Sequence, residues 1–96
     1  MRQETGWEEQ LGTRNRLLAL GVTISAARKI KGLSQEQLAE EAGISRSYLS
    51  MIEAPNIAQT FSLDVLYHLA DALEMRSGDL LNGQISGGIT QDRPPQ

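Results

Sequence analysis

The chain contains no cysteine and only one histidine, and these absences exclude several kinds of chemical site. Without cysteine there is no disulfide framework, no thiolate nucleophile and no cysteine-bound metal or iron–sulfur site. His68 is flanked at helical spacing by Asp64 and Asp71, which predicts an exposed surface pair and no supported nucleophile. The sequence also lacks a phosphate-binding glycine loop and a metal-ligand cluster. We therefore expect no catalysis, no cofactor, no metal and no small-molecule ligand.

Long apolar runs are missing as well. The longest, residues 17–22, is far below the roughly 20 residues that a membrane span needs. The N-terminal segment lacks the basic-then-apolar order of a signal peptide. These features predict a cytoplasmic protein that has no membrane partner.

The sequence also lacks an excess of positive charge, since the net charge is −3. This argues weakly against a nucleic-acid partner, because lysine and arginine supply most of the affinity for a phosphate backbone. Basic residues exceed acidic ones by one in residues 28–46 and fall short by four from residue 47 onward. A Debye length of about 8 Å lets a basic surface act locally beside an acidic half.

The chain has 96 residues, a length typical of one domain. Its apolar side chains recur three or four positions apart. This period predicts an all-α fold. A first helix ends at Gly32, and one of its faces carries an apolar stripe made of Leu17, Leu20, Gly21, Ile24, Ala27 and Ile30.

Cap residues set the bounds of the next helices. Ser34 and Gln37 form a capping box that starts a second helix, and Gly43 ends it. Ser45 caps a third helix, which Pro55 ends because the residue before a proline is pushed out of α geometry.

Ser62 caps a fourth helix, and a short fifth helix is expected around residues 79–81. The fourth helix is apolar on more than one face, so a second stripe belongs either to the core or to a dimer interface. The first stripe is Leu63, Leu66, Leu69, Ala70 and Leu73, and the second is Val65, Tyr67 and Ala72, with Leu80 and Leu81 close behind.

The chain divides into an N-terminal extension (1–16), a domain (17–82) and a disordered C-terminal tail (83–96) that is rich in Gly, Gln, Ser and Pro. In the extension, Gly12 interrupts a short extra helix. Trp7 anchors this segment either to the domain or to a second subunit.

The second and third helices have the spacing of a helix-turn-helix. Ala39 is small where the two helices approach, and Gly43 supplies the positive φ of the short turn. One face of the third helix is buried by Ile44, Leu49 and Ile52. The outward positions are then Arg46, Ser47, Ser50 and Met51.

Residues 20–73, with the pieces GLSQ, LAEEAGIS, YLSMIE and SLDVLYHLADAL, resemble the phage repressor and Cro type of helix-turn-helix protein, also called the xenobiotic-response-element family. The resemblance implies a five-helix, lambda-repressor-like domain that binds operator DNA, usually as a dimer. It implies that Gln35 contacts a phosphate. It also implies that Arg28 pairs with Glu53, an alternative to a DNA contact by Arg28. The positions that it places at the major groove are Ser45, Arg46, Ser47 and Met51.

The chemistry of these side chains agrees with a groove contact. Arg46 can form a fork with a guanine or hold a phosphate, and Met51 offers only apolar contact. Tyr48 either reaches a phosphate or packs beside the helix.

The loop after the third helix departs from the family, which usually has a basic turn there. Residues 54–61 carry no charge, so Asn56, with Gln59 and Thr60, is left to make neutral hydrogen bonds to phosphates. Ile57 and Phe61 suggest that part of the loop packs inward or onto a partner.

Two functions follow. The first is a sequence-specific transcriptional regulator, a repressor that inserts its third helix into the major groove of double-stranded DNA as a homodimer. The alternative is an antitoxin-like or regulatory protein-binding module that keeps the helix-turn-helix shape and uses the acidic C-terminal half.

Overall fold

The computed structural model describes the backbone of residues 2–85 and the side chains from residue 11 to residue 85. This part of the chain contains five α-helices and no strand, which confirms the predicted all-α fold. The helices are α1 (Arg2–Lys31), α2 (Gln35–Ala42), α3 (Arg46–Glu53), α4 (Leu63–Ala72) and α5 (Ser77–Asn82). None of the described helices is both long and apolar enough to cross a bilayer.

Helix α1 is a single element of 30 residues, so the predicted interruption at Gly12 is wrong. One glycine inside a helix costs about 1 kcal/mol relative to alanine, which does not end a helix whose neighbours on both sides favour it. At 1.5 Å per residue, α1 is about 45 Å long. The side chain of Trp7 lies outside the described residues.

Serine side chains start three of the helices, as the sequence predicts. The Ser34 hydroxyl accepts the Gln37 amide at 3.0 Å, and the Gln37 side chain accepts the Ser34 amide at 2.8 Å, which completes the capping box. The Ser45 hydroxyl accepts the Tyr48 amide and the Ser62 hydroxyl accepts the Val65 amide, and these single bonds cap α3 and α4. The end of α3 at Glu53 also matches the prediction.

The core is built by all five helices together. The fully buried large side chains come one from each helix, and they are Ile24, Leu38, Leu49, Leu69 and Leu80. Because apolar burial is the main stabilising contribution to folding, each helix is held in place by the neighbours it packs against around this core. Helix α2 packs against both α3 and α4, which places the helix-turn-helix on the body of the domain.

Several apolar residues lie differently from the prediction. Ile30 and Leu63 are 60% and 63% exposed, although the sequence places them in buried stripes. Each lies at the end of its helix, where the core no longer covers it. Ile85, which lies in the segment predicted as a tail, packs against the core. Residues 86–96 lie outside the described part of the chain.

Candidate nucleic-acid interface

The position of α3 depends on a close approach to α1 at Gly21. Gly21 is buried, and a Cβ atom added there would overlap the carbonyl oxygen of Ile52 and lie 3.3 Å from its carbonyl carbon. Both are backbone atoms, so they cannot move aside without moving α3. Glycine is therefore required at this point for the two helices to meet as they do.

A buried ion pair adds a second connection between α1 and α3. The Arg28 guanidinium donates from Nε to Glu53 Oε2 at 2.8 Å and from Nη2 to Oε1 at 3.0 Å. The side chains of Arg28 and Glu53 are 11% and 4% exposed. This confirms the pairing that the family resemblance implies. Arg28 Nη1 also donates to the carbonyl oxygen of Leu33 at 2.8 Å, which ties in the turn before α2.

Gln35 joins the same cluster, a contact that the sequence does not predict. Its Nε2 donates to Glu53 Oε1 at 3.0 Å, so Glu53 accepts three hydrogen bonds, two from Arg28 and one from Gln35. A side-chain amide nitrogen carries two hydrogens, so one remains for the predicted phosphate. Gln35 thus links the first turn of α2 to the end of α3.

The predicted groove residues share one exposed face of α3. Leu49 and Ile52 are buried on the other face, so the helix has one side for the domain and one for solvent. The Met51 side chain is 43% exposed. The Ser45 hydroxyl accepts the Tyr48 amide at 3.0 Å and so fixes the first turn of α3. The exposed residues at the start and along the outer face are Ser45, Arg46, Ser47, Ser50 and Met51.

Tyr48 connects α3 to the following loop. It is half-buried and packs against the core, and its hydroxyl donates to the carbonyl oxygen of Thr60 at 3.2 Å. The Gln59 amide donates to the same oxygen at 2.9 Å. Of the two alternatives for Tyr48, packing is observed. Phe61 also packs against the core, as one of the two alternatives for the loop predicts.

Asn56 and Ile57 form the exposed part of the loop, and Ile57 is 41% exposed. The side chain of Asn56 is therefore accessible for the predicted phosphate contact. The loop has no charge of its own.

The electrostatics of α3 follow from the ion pair. Glu53 is compensated by Arg28, so Arg46 is the charge that remains exposed on α3. An exposed cation beside short hydroxyl groups can bind base edges and phosphates in a groove. Among the described residues, no group of three or more histidines or acidic residues is placed to hold a metal ion.

Sequence reasoning missed the roles of Gly21 and Gln35. A glycine inside an apolar helical stripe is itself a signal of close packing, and Gly21 carries that signal. The contact of Gln35 with Glu53 has no comparable signal, because it joins residues 18 positions apart.

The sequence matches a family model described as a helix-turn-helix domain over residues 21–84. The match begins at the glycine that contacts Ile52, and it includes both helices of the motif and the Arg28–Glu53 ion pair that joins α1 to α3.

Two curated proteins, both named HTH-type transcriptional regulator SinR, are similar to this chain. The one from Bacillus licheniformis is 40% identical over 63 residues, and the one from Bacillus subtilis is 38% identical over 63 residues. Each match covers 66% of this chain and 56% of the relative, so this chain spans little more than half of the relatives' length.

Two solved structures of the clp gene regulator ClgR from Corynebacterium glutamicum have a similar fold. One has a TM-score of 0.66 and 28% identity, and the similarity covers 79% of each chain. The other has a TM-score of 0.62 and 29% identity over 78% of this chain and 92% of that one.

Proposed function

Because the chain belongs to the helix-turn-helix domain family, we propose that it is a sequence-specific DNA-binding transcriptional regulator that acts in the cytoplasm. Its α3 enters the major groove of an operator, and its action there is repression by occupying the site. The SinR proteins and ClgR are named as regulators, which supports this proposal.

The observation that carries the proposal is the exposed face of α3. This face carries the serine hydroxyl groups, the thioether of Met51 and the guanidinium of Arg46, while the opposite face of α3 is buried in the core. An α-helix fits the major groove, and a fork from Arg46 to a guanine contributes about 1–3 kcal/mol of discrimination. Gln35 and the first amides of α2 hold a phosphate, because a helix N-terminus is partly positive.

We propose that the regulator binds as a homodimer. One α3 with a single exposed charge makes few contacts, whereas two copies on neighbouring half-sites double them. Half-sites about 34 Å apart, one turn of the duplex, place both recognition helices on the same side of the DNA.

The test is a titration of labelled random-sequence duplex DNA with the full chain at rising salt. We expect binding that weakens as salt rises, because neutralised phosphates release counterions. Arg46→Ala should weaken binding and leave the melting temperature unchanged. Arg76→Ala is the matched control, since Arg76 is an exposed arginine at the start of α5, outside α3 and the loop that follows it, and it should bind as the parent does.

Absence of binding at every salt concentration would favour the second function, a protein-binding module. The exposed Ile57 in an uncharged loop is the observation that supports this alternative. A large fall in the melting temperature of Arg46→Ala would show instead that Arg46 is structural.

A further inference from the structure

Gln35 lies between the buried ion pair and the surface of the domain. Arg28 and Glu53 are buried, whereas Gln35 is half-buried in the first turn of α2. The Gln35 Nε2 atom donates to Glu53 Oε1 at 3.0 Å. A hydrogen bond to an ionised carboxylate is stronger than one between two neutral groups. This bond therefore restricts a side chain that would otherwise move among several rotamers.

The same bond fixes the orientation of the Gln35 amide group. Rotating the amide by half a turn would bring its oxygen against Glu53 Oε1, and both atoms are acceptors. Nε2 therefore stays on the side of Glu53. One of its two hydrogens is used there, and the other remains for a ligand. Glu53 thus holds Gln35 as a donor.

Two backbone amides lie beside this side-chain donor. The first N–H groups of a helix have no acceptor within the helix. In α2 the capping box satisfies the amide of Gln37, and the amide of Leu38 donates to the carbonyl oxygen of Ser34. Within the described part of the chain, the amides of Gln35 and Glu36 are left over at this helix end. A phosphate bound there would meet backbone and side-chain donors together.

The charge of Glu53 does not oppose a phosphate at this position. A lone carboxylate would repel the phosphate, but the Arg28 guanidinium holds both oxygens of Glu53, at 2.8 and 3.0 Å. The Glu53 side chain is only 4% exposed, so the pair presents no uncompensated negative charge at the surface. Glu53 can therefore act as the acceptor for Gln35 close to a polyanion.

We infer that Glu53 is a positioning residue for DNA binding, which acts through Gln35. The carboxylate holds the Gln35 amide in its donating orientation before DNA binds, so the phosphate contact forms without ordering that side chain. Preorganisation of this kind raises affinity because it lowers the entropic cost of binding. The inference rests on the proposed function, in which Gln35 contacts a phosphate, and it gives the ion pair a role besides that of joining α1 to α3.

The first experiment measures the motion of the Gln35 side chain without DNA, from the nuclear magnetic relaxation of side-chain amide nitrogens. In the parent, Gln35 should have an order parameter near the rigid value of about 0.85, whereas the exposed Gln84 should lie below about 0.6. In the double variant Arg28→Met with Glu53→Met, the value for Gln35 should fall to that of Gln84. A Gln35 amide that is mobile in the parent, or equally ordered in the double variant, would overturn the inference.

The second experiment is a double-mutant cycle on the affinity for labelled random-sequence duplex DNA, at a temperature where every variant is folded. A phosphate contact carries no sequence information, so this probe reports it. Gln35→Met removes the donor, keeps the length of the side chain, and should weaken binding about tenfold in the parent. In the background of the Arg28 and Glu53 double variant, the same substitution should weaken binding about twofold at most, because the amide is no longer held.

Two controls separate positioning from a general disturbance of the domain. Gln84→Met removes an exposed glutamine outside α2 and α3, and it should bind as the parent does. Arg46→Ala should weaken binding by the same factor with and without the buried pair, because none of the bonds in the cluster involves Arg46. If the effects of Gln35→Met and Arg46→Ala both shrink in the double-variant background, the pair acts only by placing α3, and the inference is wrong.

The remaining outcomes distinguish this inference from the proposed function. Equal losses for Gln35→Met in the two backgrounds, or no loss in the parent, would overturn the positioning role of Glu53 while DNA binding itself stands. A chain that binds no duplex at any salt concentration disproves the regulator and the phosphate contact together.

Discussion

At the scale of single residues, Gly21 and Gly12 make a matched comparison within one helix. Gly21→Ala should lower the free energy of unfolding by about 1–3 kcal/mol, because the new methyl group meets the Ile52 backbone and the core cannot absorb it. A Cβ added at Gly12 meets no atom within 4 Å. Because alanine favours a helix more than glycine does, Gly12→Ala should raise the free energy of unfolding by about 1 kcal/mol at most. Urea unfolding followed by circular dichroism measures both.

Equal effects of the two substitutions would contradict this reading of Gly21. Gly21→Ala should also weaken DNA binding at temperatures where the variant is fully folded, because α3 is displaced from α1. Gly12→Ala should leave DNA affinity unchanged.

The Arg28–Glu53 pair supports a second prediction. Glu53→Met leaves a buried guanidinium without its partner and should cost about 3–5 kcal/mol of stability. The double variant Arg28→Met with Glu53→Met removes both charges and should lose far less than the sum of the single losses. Thermal unfolding of the four proteins gives the coupling energy. Additive losses would mean that the two side chains act independently.

The residues that could be predicted from the sequence are those whose role is local. Ser34, Gly43, Ser45 and Pro55 act within a few positions along the chain, and the structure shows each where the sequence predicts it. Gln35 could not be predicted in full, because its contact with Glu53 depends on how α2 and α3 are placed in space.

At the scale of helices, four of the five elements end in the same backbone arrangement. One or two residues after each of these helices the chain adopts positive φ, and two amides bond back to the last turn, as in a Schellman motif. Glycine takes this position at Gly32, Gly43 and Gly83, but Glu74, with φ 57°, takes it after α4. A side chain at positive φ is strained, so α4 ends at a local cost.

This comparison predicts opposite effects for two substitutions. Glu74→Gly should raise the melting temperature by a few degrees, because it relieves strain, whereas Gly43→Ala should lower stability by about 1 kcal/mol. No atom lies within 4 Å of the Gly43 methyl position, so the loss would reflect backbone conformation alone. A fall in melting temperature for both variants would contradict this account.

The ion pair of Glu74 with Lys31 sets the pH dependence of that result. A side-chain hydrogen bond and the charge of Lys31 lower the pKa of the exposed Glu74 carboxyl. The parent keeps this interaction above the ordinary pKa of glutamate and loses it as pH falls through the lowered pKa. The advantage of Glu74→Gly should therefore increase in acid, and thermal melts at several pH values check this.

At the scale of the whole molecule, the sequence predicted the five-helix arrangement but not the length of α1. The three-to-four-residue spacing of apolar side chains predicts which residues face the core, and all five helices contribute residues to that core. The continuation through Gly12 depends on the balance between one unfavourable residue and a long favourable context, which a local pattern does not decide. The contact of Ile85 with the core was not predicted for a related reason, since Ile85 is a single apolar residue within a polar stretch.

The uncharged loop after α3 predicts a shallow salt dependence of DNA binding. Asn56→Lys adds a cation at an exposed loop position, and it should steepen the slope of log K against log salt by about 0.9 if it neutralises one phosphate. Leu63→Lys adds the same charge on α4 and should change the slope less. Equal slopes for the two variants would contradict the placement of the loop beside the DNA backbone.

Selection of bound duplexes from a random-sequence pool tests the groove contact of α3 most directly. The parent should enrich one motif with twofold symmetry, and Arg46→Ala should lose the preference for one base in each half-site. Ser47→Ala or Met51→Ala should relax other positions of the same motif. The contrary result is either no enriched motif, or an identical motif from the parent and from every variant on the outer face of α3.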